Sequence, residues 1–411
     1  MVLITLIASM AVVLIMVNKK IDMGISLATG GFILSILNGR DILHILSVML
    51  EGILASSTLT LALTVALISY LGYAMDKFHI LSRMIDYLEI VLRSAKLTIL
   101  LAPTLIGTLL VTGGALMSCP VVDKLGDKLN ISNDKRAAIN LIFRHALYFV
   151  FPLSPTIILA AELGGFKLGD FIKTMFPMSI ILYILGYLFF VRGCKEVERK
   201  KITKKEYIES IVKFLVFSSP ILISLVGVLI CGLPFYIALL IGIADCFIIR
   251  IYENKKNNLK LVDFNPIKMI KAGIKPKMVT AIFGIMIFKN IVNDIHEITD
   301  QLYAFLENGI PVELIIIIAC VMIAFSLASV QSGVAVIFPM ILPLAPDYDT
   351  KLLYAMFIYA NAFFAYYISP LHLCQVLTLE YFGVNIKQLF KNYKLILPAA
   401  YAAMLVLYFI A

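Results

Sequence analysis

Apolar residues run along this chain in long blocks separated by short polar connections, with no strand-like alternation. Read against helix breakers, the blocks predict crossings near 1–18, 21–37 and 52–75, each close to the ~20 residues that a helix needs to traverse ~30 Å of hydrocarbon. An amphipathic stretch from His79 to Arg93 follows. The next block, Leu97 to Val111, is too short to cross comfortably. It stops at Thr112-Gly113-Gly114, and a second short segment ends among Asp123, Lys124 and Lys128. This is the pattern of a re-entrant helical hairpin, about 97–128. A longer segment, about 135–165, is interrupted at Pro152 and Ser154-Pro155, and a further crossing runs from about 171 to 192.

The order then repeats. Crossings are predicted near 213–232, 234–250 and 278–293, followed by an amphipathic stretch from Asp294 to Glu307. A hairpin at about 311–345 is broken at Gln331-Ser332-Gly333, a segment at about 352–383 is interrupted at Ser369-Pro370, and a last crossing spans about 391–410. Gly114 to Pro120 and Gly333 to Pro339 share one spacing. The pattern predicts an all-α polytopic membrane protein of two repeats, 1–192 and 213–411, joined by a basic linker at 193–212. Each repeat holds five crossings, one hairpin and one broken helix. An odd number of crossings inverts the second repeat relative to the first, and inverted repeats with central breaks point to a secondary transporter.

Composition narrows the class. With 61% hydrophobic and 15% charged residues over 411 positions, an ordinary soluble globular protein is excluded. The net charge of +9 is carried by Lys and Arg in the connections, where orientation signals belong, so membrane topology explains it without nucleic acid. Lys19 and Lys20, Lys77, Arg83 and Arg93, Lys124 and Lys128, and the Arg192 to Lys205 cluster all fall on one side under this scheme. The arm with Asp294, Glu297, Asp300 and Glu307 falls on the other. A cytoplasmic membrane location with both termini extracytoplasmic follows. In Met1 to Val17 the charges come after the apolar run, the reverse of a cleavable signal. The six cysteines are scattered singly without C-x-x-C, which indicates neither a disulfide framework nor a metal site.

The breaks carry the candidate chemistry. Pro155 and Pro370 each lack an N–H and are expected to strand the carbonyls of Phe151 and Tyr366. Serine followed by proline suits an N-cap and first turn, so second half-helices are expected to start at Ser154 and Ser369, their N–H groups suited to an anion. Thr112-Gly113-Gly114 and Gln331-Ser332-Gly333 are expected at the hairpin tips, where glycine permits close backbone approach. Ser118, Thr156 and Asn361 complete the polar set near these breaks. Arg144 lies eleven residues before Pro155, ~16 Å along a continuous helix, a depth at which a snorkelling anchor competes with a substrate clamp. His145 shares that depth and could simply pack. His372 lies at the level of its break, either as a proton-coupling group or as a histidine bonded to a stranded carbonyl. No cofactor is expected beyond Na+ or H+ as coupling ion.

Gly113-Gly114, Ser118-Cys119-Pro120, Asn140-Leu141-Ile142-Phe143-Arg144-His145 and Phe151-Pro152-Leu153-Ser154-Pro155 together resemble the integral-membrane family called domain of unknown function 401. That family is grouped with the ion transporter superfamily, whose better-known members carry gluconate, citrate and dicarboxylates. The resemblance implies an elevator-like transporter in which paired hairpins and broken helices move against a scaffold that is a homodimer. The Ser-Asn-Thr hairpin signatures of sodium-coupled dicarboxylate carriers are replaced here by Thr112-Gly113-Gly114 and Gln331-Ser332-Gly333, so the resemblance implies a mechanism more than a cargo. The expected function is secondary active transport of a small organic anion, driven by a proton or sodium gradient, with membrane lipid as the surrounding partner. A channel is one alternative, although no filter repeat or charged ring is present. An intramembrane enzyme using His145 or His372 is another, although there is no H-E-x-x-H motif.

Overall fold

The computed structural model describes residues 2–108, 114–195, 202–256 and 266–410, and the regular structure among them is helical throughout. The first half contains α1 (Val2–Asn18), α2 (Met23–Leu37), α3 (Ile42–Leu54), α4 (Ser56–Lys77) and α5 (Ile80–Leu92). It continues with α6 (Ala95–Gly107), α7 (Gly114–Lys128), α8 (Asn133–Ala146), α9 (Pro155–Gly164) and α10 (Leu168–Gly186). The second half contains α11 (Lys204–Leu229), α12 (Phe235–Lys256), α13 (Pro266–Gly273), α14 (Pro276–Asp294) and α15 (His296–Glu307). Then come α16 (Val312–Cys320), α17 (Val330–Ile341), α18 (Tyr348–Ile368), α19 (Leu373–Phe382) and α20 (Ile386–Ile410). Six described helices are long and apolar enough to cross a membrane, or seven if α14 and α15, bent by 68°, count as one. With the apolar exposed surface of these helices, the chain is a multi-pass membrane protein.

Two elements differ from the sequence expectation. Helix α3 occupies a stretch assigned to no crossing: Asp41 caps it by accepting from the Leu43 N–H, and it buries Ile45, Val48 and Gly52 while leaving Leu43, Leu46 and Leu50 exposed. A one-sided apolar helix of this length has too few apolar positions to read as a span. The second difference is the linker, because α11 begins inside it. Thr203 accepts from the Glu206 N–H at 3.2 Å and Glu206 accepts from the Thr203 N–H at 2.7 Å, a reciprocal cap that starts the helix among lysines.

Glycine sets the closest helix contact. A Cβ on Gly24 of α2 would lie 2.0 Å from the Thr280 carbonyl of α14, and one on Gly284 would lie 2.1 Å from the Gly24 carbonyl. The two backbones touch because neither carries a side chain there, a small-residue contact typical of membrane helices. Helix α17 packs on α14, and α8 and α18 are strongly enclosed: every residue from Arg136 to Ala146 is buried, as is every residue from Ala355 to Ala365. The packing is reciprocal. Helices α6 and α7 pack on each other and on α8, as α16 and α17 do on α18; α7 then packs on α19, and α17 on α9.

Candidate functional site

The break after α8 begins with its orphaned carbonyls. The last carbonyls of a helix have no partner within it and must find one elsewhere. Thr104 of α6 donates to the Phe143 carbonyl at 2.8 Å, Ser179 of α10 donates to the Ala146 carbonyl at 2.6 Å, and Tyr359 of α18 donates to the Tyr148 carbonyl at 2.8 Å. A short 3-10 turn, Leu147–Phe149, and a loop then carry the chain to Pro155. The Phe151 carbonyl, expected to be stranded, accepts from the Ser154 N–H at 2.9 Å. Ser154 is the N-cap of α9 and Pro155 its first residue, as the Ser-Pro pair suggested, but the serine side chain makes no capping bond. It is left to face the cavity.

That cavity, of about 100 Å³, is lined by Gly107 and Thr108 from the end of α6, Arg144 from α8, Tyr148 and Phe151 from the break, and Ser154, Pro155 and Thr156 from the start of α9. The second half adds Met278 of α14 and Gln331 of α17. Several of its polar groups are hydrogen-bond donors. Arg144 supplies a guanidinium and is only 8% exposed. The first N–H groups of α9 have no intrahelical acceptor and carry the positive end of the helix dipole. Gln331 has a buried side-chain Nε2 without a hydrogen-bond partner, and the Thr156 and Tyr148 hydroxyls lie 3.4 Å apart. The close approach of α6 is again a glycine effect, since a Cβ on Gly107 would lie 2.1 Å from the Arg144 carbonyl.

The second break is built differently. Ser369 ends α18, the Tyr366 carbonyl accepts from the Ser369 N–H at 3.1 Å, and the Ser369 carbonyl accepts from the His372 N–H at 3.1 Å. Helix α19 therefore starts at Leu373 with His372 as N-cap, and not at Ser369. The turn satisfies the carbonyl that proline was expected to strand, and Ser369 Oγ accepts from the Leu371 N–H at 3.3 Å. The second helix pair is also displaced from its expected tip. Ala328 has a left-handed φ of 45°, Ser329 caps α17 by accepting from the Ser332 N–H, and Gln331, Ser332 and Gly333 form the first turn of the helix. Serine at 329 outcompetes the Gln-Ser-Gly run as helix starter because its hydroxyl satisfies a first-turn N–H.

Of the residues expected at the site, Arg144, Ser154, Pro155, Thr156 and Gln331 meet at one cavity. Arg144 reaches it because the eleven residues before Pro155 are not continuous helix; the turn and loop bring both ends to the same wall. Thr112 and Gly113 lie outside the described residues, and Gly114 opens α7. Ser118 donates to the Ala115 carbonyl, Ser332 bonds to the Met23 sulfur of α2, and Gly333 packs against Ala324 and Ala362. Asn361 is fully engaged, donating to the Phe357 carbonyl and accepting from Tyr401, both at 2.8 Å. Ser369, Pro370 and His372 belong to the second break, and His145 of α8 packs against it through Tyr366 and His372, away from the cavity lining. Sequence reasoning missed Gly107, Thr108, Tyr148 and Met278, none of which stands at a breaker.

Among solved structures the chain is similar to the crystal structure of the Alcanivorax borkumensis YdaH transporter, described as having an unusual topology. The TM-score is 0.59 at 12% identity, covering 89% of this chain and 87% of that one. At that identity the likeness shows the fold. No curated protein sequence matches. The family model described as "Protein of unknown function (DUF401)" matches residues 1–411, and the chain belongs to that family.

Proposed function

We propose that this protein is a secondary active transporter for a small organic anion, driven by a proton or sodium gradient, with the cavity at the first break as its binding site. One observation carries the reading: a guanidinium, a helix N-terminus and a glutamine Nε2 without a hydrogen-bond partner converge on one cavity from both halves of the chain. All three are donors or positive ends, so an anion is the complementary guest. The described part of the cavity holds no carboxylate side chain to oppose it. The fold shared with the YdaH transporter supports transport as the activity.

The reciprocal packing supports two inverted repeats, in which each helix pair closes over the broken helix of the other repeat. Alternating access is then movement of the pairs and broken helices, elevator-fashion, against a scaffold built on the α2–α14 contact, in a homodimer. The test is uptake into proteoliposomes under imposed proton or sodium gradients, across a panel of small carboxylates and other anions. Saturable, gradient-dependent uptake that Arg144→Gln abolishes is expected. Gradient-independent flux that does not saturate, or no uptake of any anion, overturns the reading.

A further inference from the structure

Behind the cavity wall, where the two breaks approach each other, two histidines and a cysteine come together in a way that anion binding does not use. The donor atoms of His145, His372 and Cys374 all lie within 4.8 Å of one another. His145 is 4% exposed and His372 1%. The imidazole rings stand edge to face, with centroids 5.0 Å apart. We propose that these three residues form a binding site for a single thiophilic d10 metal ion, with Cu+ the ion it fits best.

The argument starts with the hydrogen bonds. His145 Nδ1 lies 2.7 Å from the Leu141 carbonyl, an acceptor only, so Nδ1 carries the proton and Nε2 keeps its lone pair. A backbone carbonyl holding one ring nitrogen while the other stays available is the usual outer support of a metal-ligating histidine. Nε2 now faces the Tyr366 hydroxyl at 3.2 Å, the one contact that a bound metal ion would replace. Neither nitrogen of His372 makes a well-formed hydrogen bond, with the Tyr367 backbone its one weak neighbour, although the ring is almost wholly buried. Leaving polar ring atoms poorly satisfied in a buried apolar setting is costly, and metal coordination removes that penalty at one of them. Cys374 supplies the third donor from the first turn of α19, two residues beyond His372.

Geometry and charge select the metal. Donors at metal distances of ~2.0–2.3 Å stand about 3.5 Å apart around a trigonal centre, so the three atoms must close by about 1 Å, within reach of side-chain rotation. Thiolate and imidazole suit soft and borderline ions, and three donors suit Cu+ better than Zn2+, which prefers four. On binding, Cys374 gives up its thiol proton to solvent, so thiolate plus Cu+ makes a neutral centre. Zn2+ would leave a net positive charge buried beside Arg144, the residue preceding His145, and buried unbalanced charge is expensive. The surrounding rings of Tyr366 and Tyr367, with centroids 4.1 Å and 5.8 Å from His372, keep water out and protect the reduced ion.

The experiment uses the full-length chain in detergent under anaerobic reducing conditions. Cu+ is delivered from a chromophoric chelator, and affinity is read by competition with it; X-ray absorption gives the ligand set, and thermal unfolding without metal reports folding. One Cu+ per chain with one sulfur and two nitrogen neighbours is expected, together with a raised unfolding midpoint by mass action. Cys374→Ser, at a half-buried position that tolerates change, and His372→Gln should each weaken binding at least tenfold. Cys231→Ser, at an exposed cysteine, should not. Sub-stoichiometric Cu+, a sulfur-free ligand set, or Cu+ affinity unchanged in Cys374→Ser overturns the proposal; stoichiometric Zn2+ without Cu+ overturns the choice of metal. None of these readouts depends on transport.

Discussion

Arg144→Gln tests the anion cavity most directly, because it removes the charge while keeping an amide donor of intermediate length. A hydrogen bond to a charged group contributes about 1.5–3 kcal/mol. A guanidinium holding a carboxylate with two such bonds therefore contributes about 3 kcal/mol or more, and its loss should weaken binding by at least about 100-fold. Arg144→Lys keeps the charge but loses the planar fork, so one bond of about 1.5 kcal/mol is forfeited and affinity falls by about tenfold. The graded order, wild type above Lys above Gln, is the signature of direct contact. The assay is anion binding by ligand-induced thermal shift, followed by uptake in proteoliposomes. A second buried arginine on the same helix provides the control. Arg136 is paired with Asp123 at 2.6 Å and Asp127 at 2.7 Å and donates to the Ile131 carbonyl at 2.7 Å. Arg136→Gln should lower the unfolding temperature while the protein that remains folded binds anion normally. If folded Arg144→Gln keeps its affinity within threefold of wild type, the cavity is not the binding site.

Three further outcomes follow from the packing. Gly24→Ala drives a Cβ into the Thr280 carbonyl at 2.0 Å and should destabilise the scaffold by about 1–3 kcal/mol, read as a lower unfolding midpoint; an unchanged midpoint would mean that α2 and α14 do not touch as described. Thr104→Val orphans the Phe143 carbonyl and removes the acceptor for Tyr183 at 2.8 Å, costing about 1–3 kcal/mol and loosening the first break, which hydrogen exchange at 143–150 would report. Glu89 of α5 is opposed by burial, but Lys128 at 2.6 Å and Lys124 at 3.2 Å outweigh it and hold its carboxyl below the usual range. The stability it contributes is present above the unfolded carboxyl value and lost as pH falls through the folded one. Because the group is partly exposed, the effect is under about 1 kcal/mol per pair. Glu89→Gln should lower stability at neutral pH by that small amount and change little below the folded carboxyl value, so that the acid slope flattens, a difference that denaturation at both pH values would measure.

How much of this was legible in the sequence depends on what kind of physics decides each feature. Long apolar runs, Pro155 and the Ser154 cap act locally, so the helices and the first break could be read from residues a few positions apart. The second break could not, because Ser369-Pro370 offers the same helix start as Ser154-Pro155. What decides against it is a turn in which the Ser369 carbonyl accepts from His372, which moves the start to Leu373. The depth of Arg144 failed for a related reason: counting 1.5 Å per residue assumes a continuous helix, and that helix ends at Ala146. Least legible of all was the His145, His372 and Cys374 cluster. Spacing rules find metal sites whose ligands are neighbours in sequence, whereas here only His372 and Cys374 are neighbours, and His145, far earlier in the chain, joins them because α8 packs on α19. The same packing leaves Asn140 Oδ1 and both polar atoms of the Gln375 side chain without partners along one helix interface, and His372 poorly bonded beside them. Buried polar groups are normally satisfied, and a row of exceptions between two broken helices marks where the fold is held ready for something other than itself.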